Sequence, residues 1–393
     1  MKDLDHFVRL SLMRINHQLV FSTAANLRLG GLTPEKCEAL LWGIKHLHGL
    51  IEKQPQQFRL EPAYSMFRDL GVNGPTENEI RKLWNEIDQR TKASLRKCWH
   101  PEASVGNCTH GSENGIYISA AHSIQRAKVL ERIAEDHNVS NFAYIFQKAY
   151  RPIPIRRAST FYGFCNDHDR IFSPIERCSY RSTLEQNFLF AFRAFVHASH
   201  FKMADDVVFD FGKQTMTDID RNLAVFNSGI ASRDYSGLCT DTIVLPYEYP
   251  LAVASCSDLE FDFDGNTISH SKERMEHFFL TVFPDEGKTI VLFSYFEEDY
   301  KLYGSIIPQI KSRRQIESDL SVLIAGHCHN TYFSPSYFQK FIEPQSESIR
   351  LLNYHTQNDI EWFDERMRVI SSHSITPWSY LDNQLNIQLF HKI

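Results

Sequence analysis

Apolar residues in the first hundred positions recur at three- and four-residue intervals. Phe7, Leu10, Leu12, Ile15 and Leu19 stand at near-helical spacing until Gly30-Gly31 breaks the run. Thr33-Pro34 then offers an N-cap residue and a proline at the first helical position. Cys37, Leu40, Leu41, Ile44, Leu47 and Ile51 follow on one stripe, so 34–53 reads as an amphipathic helix with Cys37 in its core face. A short helix fits 64–70. Thr76-Glu-Asn-Glu79 forms a capping box after Pro75, and Ile80, Leu83, Trp84 and Ile87 carry a further helix towards Lys97. Residues 1–97 therefore read as a helical N-terminal region.

The pattern changes in the second half. Thr183 to about Met203 is a helix studded with Phe188, Phe190, Phe192, Phe195 and Phe201, which reads as a buried core helix. From Asp241 onward the runs are short and β-prone: Thr242–Pro246, Leu251–Ser255, Leu259–Phe263, Phe278–Val282 and Thr289–Tyr295. Asp264-Gly265-Asn266 and Asp285-Glu286-Gly287 are hairpin turns by residue type, so a mostly antiparallel sheet is expected. Helices at about 299–311 and 314–325 follow, then short mixed elements. The stretch 183–393 thus reads as an α+β C-terminal domain of unknown role, whose aromatic content suits a protein partner.

Composition narrows the classes. A chain of 393 residues has room for two or three domains, and 42% hydrophobic with 23% charged is ordinary for a globular protein. The net charge of -6 supplies no global attraction to nucleic acid, so any such binding needs a local basic patch. No run reaches the ~20 apolar residues of a membrane span, which argues against a membrane partner. The start Met1-Lys-Asp-Leu-Asp-His6 lacks a signal-peptide pattern, and eight Cys are too dilute for a disulfide scaffold. A cytoplasmic protein with reduced thiols is the expectation.

Between these regions, residues 98–182 hold the chemistry. Cys98-Trp-His100, Cys108-Thr-His110 and Cys165-Asn-Asp-His168 place soft ligands at short spacings, and Cys-x-x-His is one standard half of a tetrahedral zinc site. The expected ligands are Cys98, Cys108, Cys165 and His168, with His100 or His110 able to substitute. The gap between Cys98 and Cys108 is wider than a standard knuckle. His122 ends a β-prone run, Ile116 to Ile118 and onward, ahead of a helical stretch at 127–135. An imidazole facing a metal-bearing helix start suits general-base work.

The order Cys…Cys…Ala-His-Ser-Ile…Phe-Cys-x-x-His-Asp resembles the HNH (His-Me finger) endonucleases, particularly restriction and phage-defence types, over about 80 residues from Cys98 to Glu176. The resemblance implies a zinc-supported treble clef of ββα-metal type acting on DNA or RNA. It makes His122 the general base and the four ligands above structural. It also assigns a catalytic Mg or Mn to Asp169, with Asp167 as a second candidate or a helix cap. His168 stands where the family usually has Cys, and Asp169 where it usually has His.

Arg151, Arg156, Arg157 and Arg170 cluster near the second knuckle and form the candidate phosphate-facing patch; a solvated loop and helix face is the plainer reading. Gly326-His327-Cys328-His329-Asn330 looks like a ligand cluster, but sequence neighbours seldom face one metal. The leading expectation is a metal-dependent nuclease hydrolysing phosphodiester bonds. The alternative is a non-enzymatic, zinc-stabilised interaction or scaffold protein.

Overall fold

The computed structural model describes residues 97–110, 116–142, 152–209, 213–271, 274–349, 352, 360–363, 369–373 and 383–392. The helices expected at 34–53, 64–70 and 76–97 lie outside the described residues, as does Arg151.

The protein is mixed α+β, with a mostly antiparallel sheet as its frame. In chain order the described strands are β1 (Ile118–His122), β2 (Asn138–Asn141), β3 (Ile153–Pro154), β4 (Thr160–Cys165), β5 (Leu238–Leu245), β6 (Leu251–Ser257), β7 (Phe278–Asp285), β8 (Lys288–Phe296), β9 (Thr331–Phe333), and the antiparallel pair β10 (Ile360–Phe363) and β11 (Val369–His373). Seven of them form one sheet in the order β3-β2-β9-β6-β7-β8-β5, with every pairing antiparallel. Strands β1 and β4 form a separate antiparallel pair.

The central strands read as nearly unbroken apolar runs because both faces of the sheet are covered. Side chains still alternate. Phe278, Leu280 and Val282 of β7 share one cluster with Val291, Phe293 and Tyr295 of β8. Tyr303, Ile306, Leu320 and Leu323 close that side. The opposite face packs on helix α1 (Leu184–Phe209), where Phe279 meets Phe195, and on Phe226 of the helix that follows. At its start α1 carries a Thr183-x-x-Gln186 cap, with the Gln186 amide donating to Thr183 Oγ1 at 3.2 Å. Phe188, Leu189, Phe192, Phe195 and Val196 are all buried, as a helix enclosed between layers requires.

Helix α2 (Lys213–Ser232) has no counterpart in the expectation, although Ile219, Leu223 and Phe226 are buried at helical spacing. The run Leu259–Phe263 is not a strand. Its Asp262 carboxylate instead accepts the Asp264 and Asn266 amides at 3.0 and 2.8 Å, making a turn closed by a single Phe261–Thr267 bridge. The helix expected at 299–311 breaks at Gly304 into Tyr300–Tyr303 and α3 (Ile306–Arg313). Arg314, at φ 58°, ends α3 before α4 (Ile316–His327). The Asp285–Lys288 turn is a tight hairpin, with Glu286 at φ 48° and Gly287 at φ 80°. Two left-handed residues match the twist of the flanking strands.

A buried polar knot ties the β1–β4 region to the sheet. The Asn330 side-chain amide reaches Ser123 Oγ (2.8 Å), Ser159 Oγ (3.2 Å) and the Ala254 carbonyl (2.8 Å). The Ser159 amide donates to Tyr332 Oη at 2.7 Å. Among the described residues no helix is long and apolar enough to cross a membrane.

Candidate metal centre

Three separate stretches converge below the β1–β4 pair. Cys98 and Cys108 come from the loop ahead of β1, Cys165 ends β4, and His168 opens the 3-10 turn His168–Phe172. The Trp99 amide donates to the Gly163 carbonyl at 2.9 Å, pinning the first loop to β4. Gly163 has to be glycine: an added Cβ would lie 2.5 Å from the Phe161 ring and 2.8 Å from Val196 of α1.

The ligand atoms of Cys98, Cys108, Cys165 and His168 all lie within 4.8 Å of one another. His168 Nδ1 is 3.4 Å from Cys98 Sγ, 3.5 Å from Cys108 Sγ and 3.2 Å from Cys165 Sγ. A tetrahedral ion with bonds of about 2.3 Å to sulfur and about 2.05 Å to nitrogen puts each S···N edge at about 3.5 Å. The cluster therefore matches zinc in spacing as well as in donor type, and it could hold such an ion. Soft thiolate donors would disfavour magnesium here.

The thiols are unequal. Burial pushes Cys98 up to about 12 and raises Cys108 as well. Cys165 is also desolvated, but backbone amides of Thr109, His168 and Asp167 and the Thr109 hydroxyl outweigh that and bring it down to about 6. Amides two and three residues beyond a cysteine, aimed at its sulfur, favour the thiolate, the form that ligates.

His168 is the fourth member of the cluster. His100 stacks flat on its ring, centroids 4.2 Å apart and planes 9° from parallel. His100, Glu102 and His168 form a second compact group. Parallel rings, however, send their in-plane lone pairs side by side, so the stack does not converge on one ion. His110 is exposed and lies in an isolated bridge with Ile116.

His122 closes β1 opposite Thr160. Its Nε2 donates to the Ile155 carbonyl at 3.0 Å, which leaves Nδ1 as the unprotonated nitrogen. Burial lowers its pKa, partly opposed by that bond, and Arg126 and Arg193 lower it further. It is therefore a neutral imidazole with one lone pair.

Asp167 occupies the helix N-cap position but makes no capping bond. Its carboxylate accepts the Thr109 hydroxyl at 2.8 Å, bridging the two knuckles, and pairs loosely with Arg170 at 3.7 Å. Asp169 points inward, its carboxyl raised by burial and held down in part by Arg193. The metal groupings among the described residues include neither aspartate, so the hard-cation assignment to Asp169 and Asp167 finds no ligand set. Arg156, Arg157 and Arg170 are exposed, which suits a solvated face and a phosphate contact equally.

Several histidines escaped the sequence reading. His197 and His200 of α1 are buried against Phe161, and desolvation drives them down to about 3 and about 4. Their helical spacing on an apolar helix was the available signal. His327 and Cys328 are both buried, and the 326–330 run gathers no metal group. A cavity of about 310 Å3 lies elsewhere, between Val129, Ile175, Phe190 and Phe283, and touches neither His122 nor the cluster.

No family model matches this chain, and no curated protein or solved structure matches it either.

Proposed function

We propose that the chain is a zinc-supported hydrolase of phosphodiester bonds in nucleic acid, built on an HNH-like ββα unit with His122 as general base. The observation that carries this reading is the state of His122. Its Nε2 proton is committed to the Ile155 carbonyl, its ring is kept neutral by burial, and Nδ1 is left to take a proton from water. The β1–β4 pair followed by the helical run 168–176 supports it, since an antiparallel pair leading into a helix is the order that such a unit needs.

In this reading the Cys3His cluster is a structural treble-clef centre that sets the angle between the pair and the helix. His122 deprotonates water, the hydroxide forms a bond to phosphorus as the P–O ester bond breaks, and the leaving oxygen takes a proton from solvent water. Arg156, Arg157 and Arg170 take the phosphate backbone of DNA or RNA. The test is cleavage of labelled single- and double-stranded DNA and RNA by the zinc-loaded protein, beside His122→Ala. Activity lost in the variant, with zinc content and melting temperature unchanged, is the expected result. No cleavage of any substrate by the wild type overturns the reading.

A second reading is favoured by the Asp167–Thr109 bridge, which uses a proposed catalytic carboxylate to join the knuckles. There the module is a zinc-stabilised scaffold without enzymatic activity, and a protein partner binds through the C-terminal part. Its mark is a His122→Ala variant as destabilised as Cys165→Ala.

A further inference from the structure

Helical turns at 126–133, helix α1 and the β7–β8 hairpin enclose the cavity of about 310 Å3. Lys128 and Arg132 line it one helical turn apart, Phe190 comes from α1, and Phe283 and Asp285 come from β7. Tyr180 joins them from the chain just ahead of α1. The rings make the apolar side. Phe190 and Phe283 stack with centroids 5.0 Å apart and planes 21° from parallel, and Tyr180 meets Phe283 edge-on at 5.7 Å. Tyr180 Oη donates to Asn187 Oδ1 at 2.9 Å, which holds that ring in place.

The polar side carries charges in different states. Arg132 is already neutralised: its guanidinium forks onto Glu248, whose Oε2 also accepts the Gly287 amide at 2.8 Å. Lys128 spends one of its three donors on the Cys178 carbonyl at 3.0 Å. Asp285 is half-buried, and among the described residues no hydrogen bond or ion pair engages its carboxylate. Burial and Glu286 raise that carboxyl, opposed by Arg132 and Lys128. An aromatic platform thus shares its cavity with one unengaged acceptor and one cation with donors to spare.

We propose that this cavity is a nucleotide site selective for guanine, with the base on the Phe190–Phe283 platform, its N–H edge on Asp285 and its phosphate on Lys128. A purely apolar occupant would strip water from Asp285 and Lys128 and return nothing. A nucleotide returns all three contacts: a π face for the rings, N–H groups for the carboxylate and phosphate oxygens for the ammonium. Guanine alone among the common bases presents two adjacent N–H donors, N1–H and N2–H, which match the two oxygens of one carboxylate. Adenine and cytosine set an acceptor nitrogen beside their amino group, and that nitrogen would face the carboxylate's lone pairs. The volume is at the small end of ligand sites, about 300–1,000 Å3, and suits one nucleotide. A free guanine nucleotide and a guanine within a strand share this chemistry. The inference does not rest on the hydrolase reading, since the cavity touches neither His122 nor the metal cluster.

The test needs no cleavage. Full-length zinc-loaded protein is titrated with guanosine monophosphate (GMP), AMP and guanosine by isothermal titration calorimetry. GMP is expected to bind at least about tenfold tighter than AMP. Asp285→Asn is expected to weaken GMP about tenfold and to leave AMP unchanged. Lys128→Met is expected to weaken GMP and leave guanosine unchanged, and Phe190→Ala to weaken GMP and AMP alike by about tenfold. No GMP binding by wild type at millimolar concentration overturns the inference, as do equal affinities for GMP and AMP, or an Asp285→Asn variant with wild-type affinity. If Phe190→Ala does not fold, Asp285→Asn decides alone. Displacement of GMP by a single-stranded oligonucleotide holding one guanine assigns a strand as the source, and no displacement assigns the free nucleotide. His122→Ala is expected to bind GMP as wild type does, so failure of the nuclease assay leaves the guanine site standing.

Discussion

The two halves of this molecule are held together by different physics. Around β6, β7 and β8 the chain buries Phe278, Leu280, Val282, Val291 and Phe293 in one contiguous cluster. No single side chain is indispensable there, because stabilisation is spread over many apolar contacts. Around β1 and β4 the strands are short, the helical run is a single 3-10 turn joined to Ser173–Glu176, and four polar ligands converge in the interior. The region's buried apolar residues, Ile118, Phe161, Phe164 and Phe172 among them, join the cysteines in one cluster with α1. Its Cys3His cluster could close on an ion that neutralises buried sulfurs, and Asn330 and α1 attach the region to the sheet. A hydrophobic frame tolerates the loss of parts, and a region centred on a cluster that could hold a metal is expected to tolerate less.

The largest expected effect tests that contrast directly. Stripping zinc with a chelator, or Cys165→Ser, is expected to expose backbone amides across 98–176 to hydrogen exchange while those of β6–β8 stay protected. The free energy at stake is of the order of 10 kcal/mol for a structural zinc. Uniform exchange over both regions would break the comparison, showing one cooperative unit. Next in size is the reverse experiment. Phe293→Ala, in the sheet core, is expected to cost about 3–5 kcal/mol in chemical denaturation while zinc stoichiometry by elemental analysis stays the same.

The smallest effect is a pH dependence at the join. His197 and His200 have folded pKa values of about 3 and about 4, below the ordinary histidine value of 6.5. The unfolded chain therefore binds more protons between pH 6.5 and pH 4, so their contribution is complete above 6.5 and is lost as pH falls through that window. Melting temperature followed from pH 7 to pH 4.5 is expected to fall, and His200→Phe, which cannot charge, is expected to flatten the slope. An identical slope in the variant would place the acid sensitivity elsewhere.

Much of the sheet was legible in advance because its signals are local. Runs such as Thr289–Tyr295 and a turn such as Asp285-Glu286-Gly287 carry their conformation in adjacent residues, and both stand as expected. The misreadings arose where a local pattern had two solutions. Leu259–Phe263 alternates like a strand, yet the Asp262 side chain satisfies the backbone amides that a strand partner would have taken. Helix α2 was missed although its spacing was there to be read.

For the site, the sequence determined the ligand types and the Cys-x-x-His half, since that spacing alone brings two donors to one ion. It named His168 but left His100 and His110 able to substitute, because each lies two residues from a cysteine and the exclusion depends on closing a loop of 70 residues between Cys98 and His168. Tertiary structure made that choice by turning His168 Nδ1 inward and stacking His100 on its back. It also placed Arg193. In the sequence this is one arginine in an apolar helix, indistinguishable from one that extends its head to solvent. Only the packing of α1 beneath Phe172 and Glu176 buries the guanidinium. Burial and charge pairing are properties of contacts between distant segments, and no local pattern encodes them.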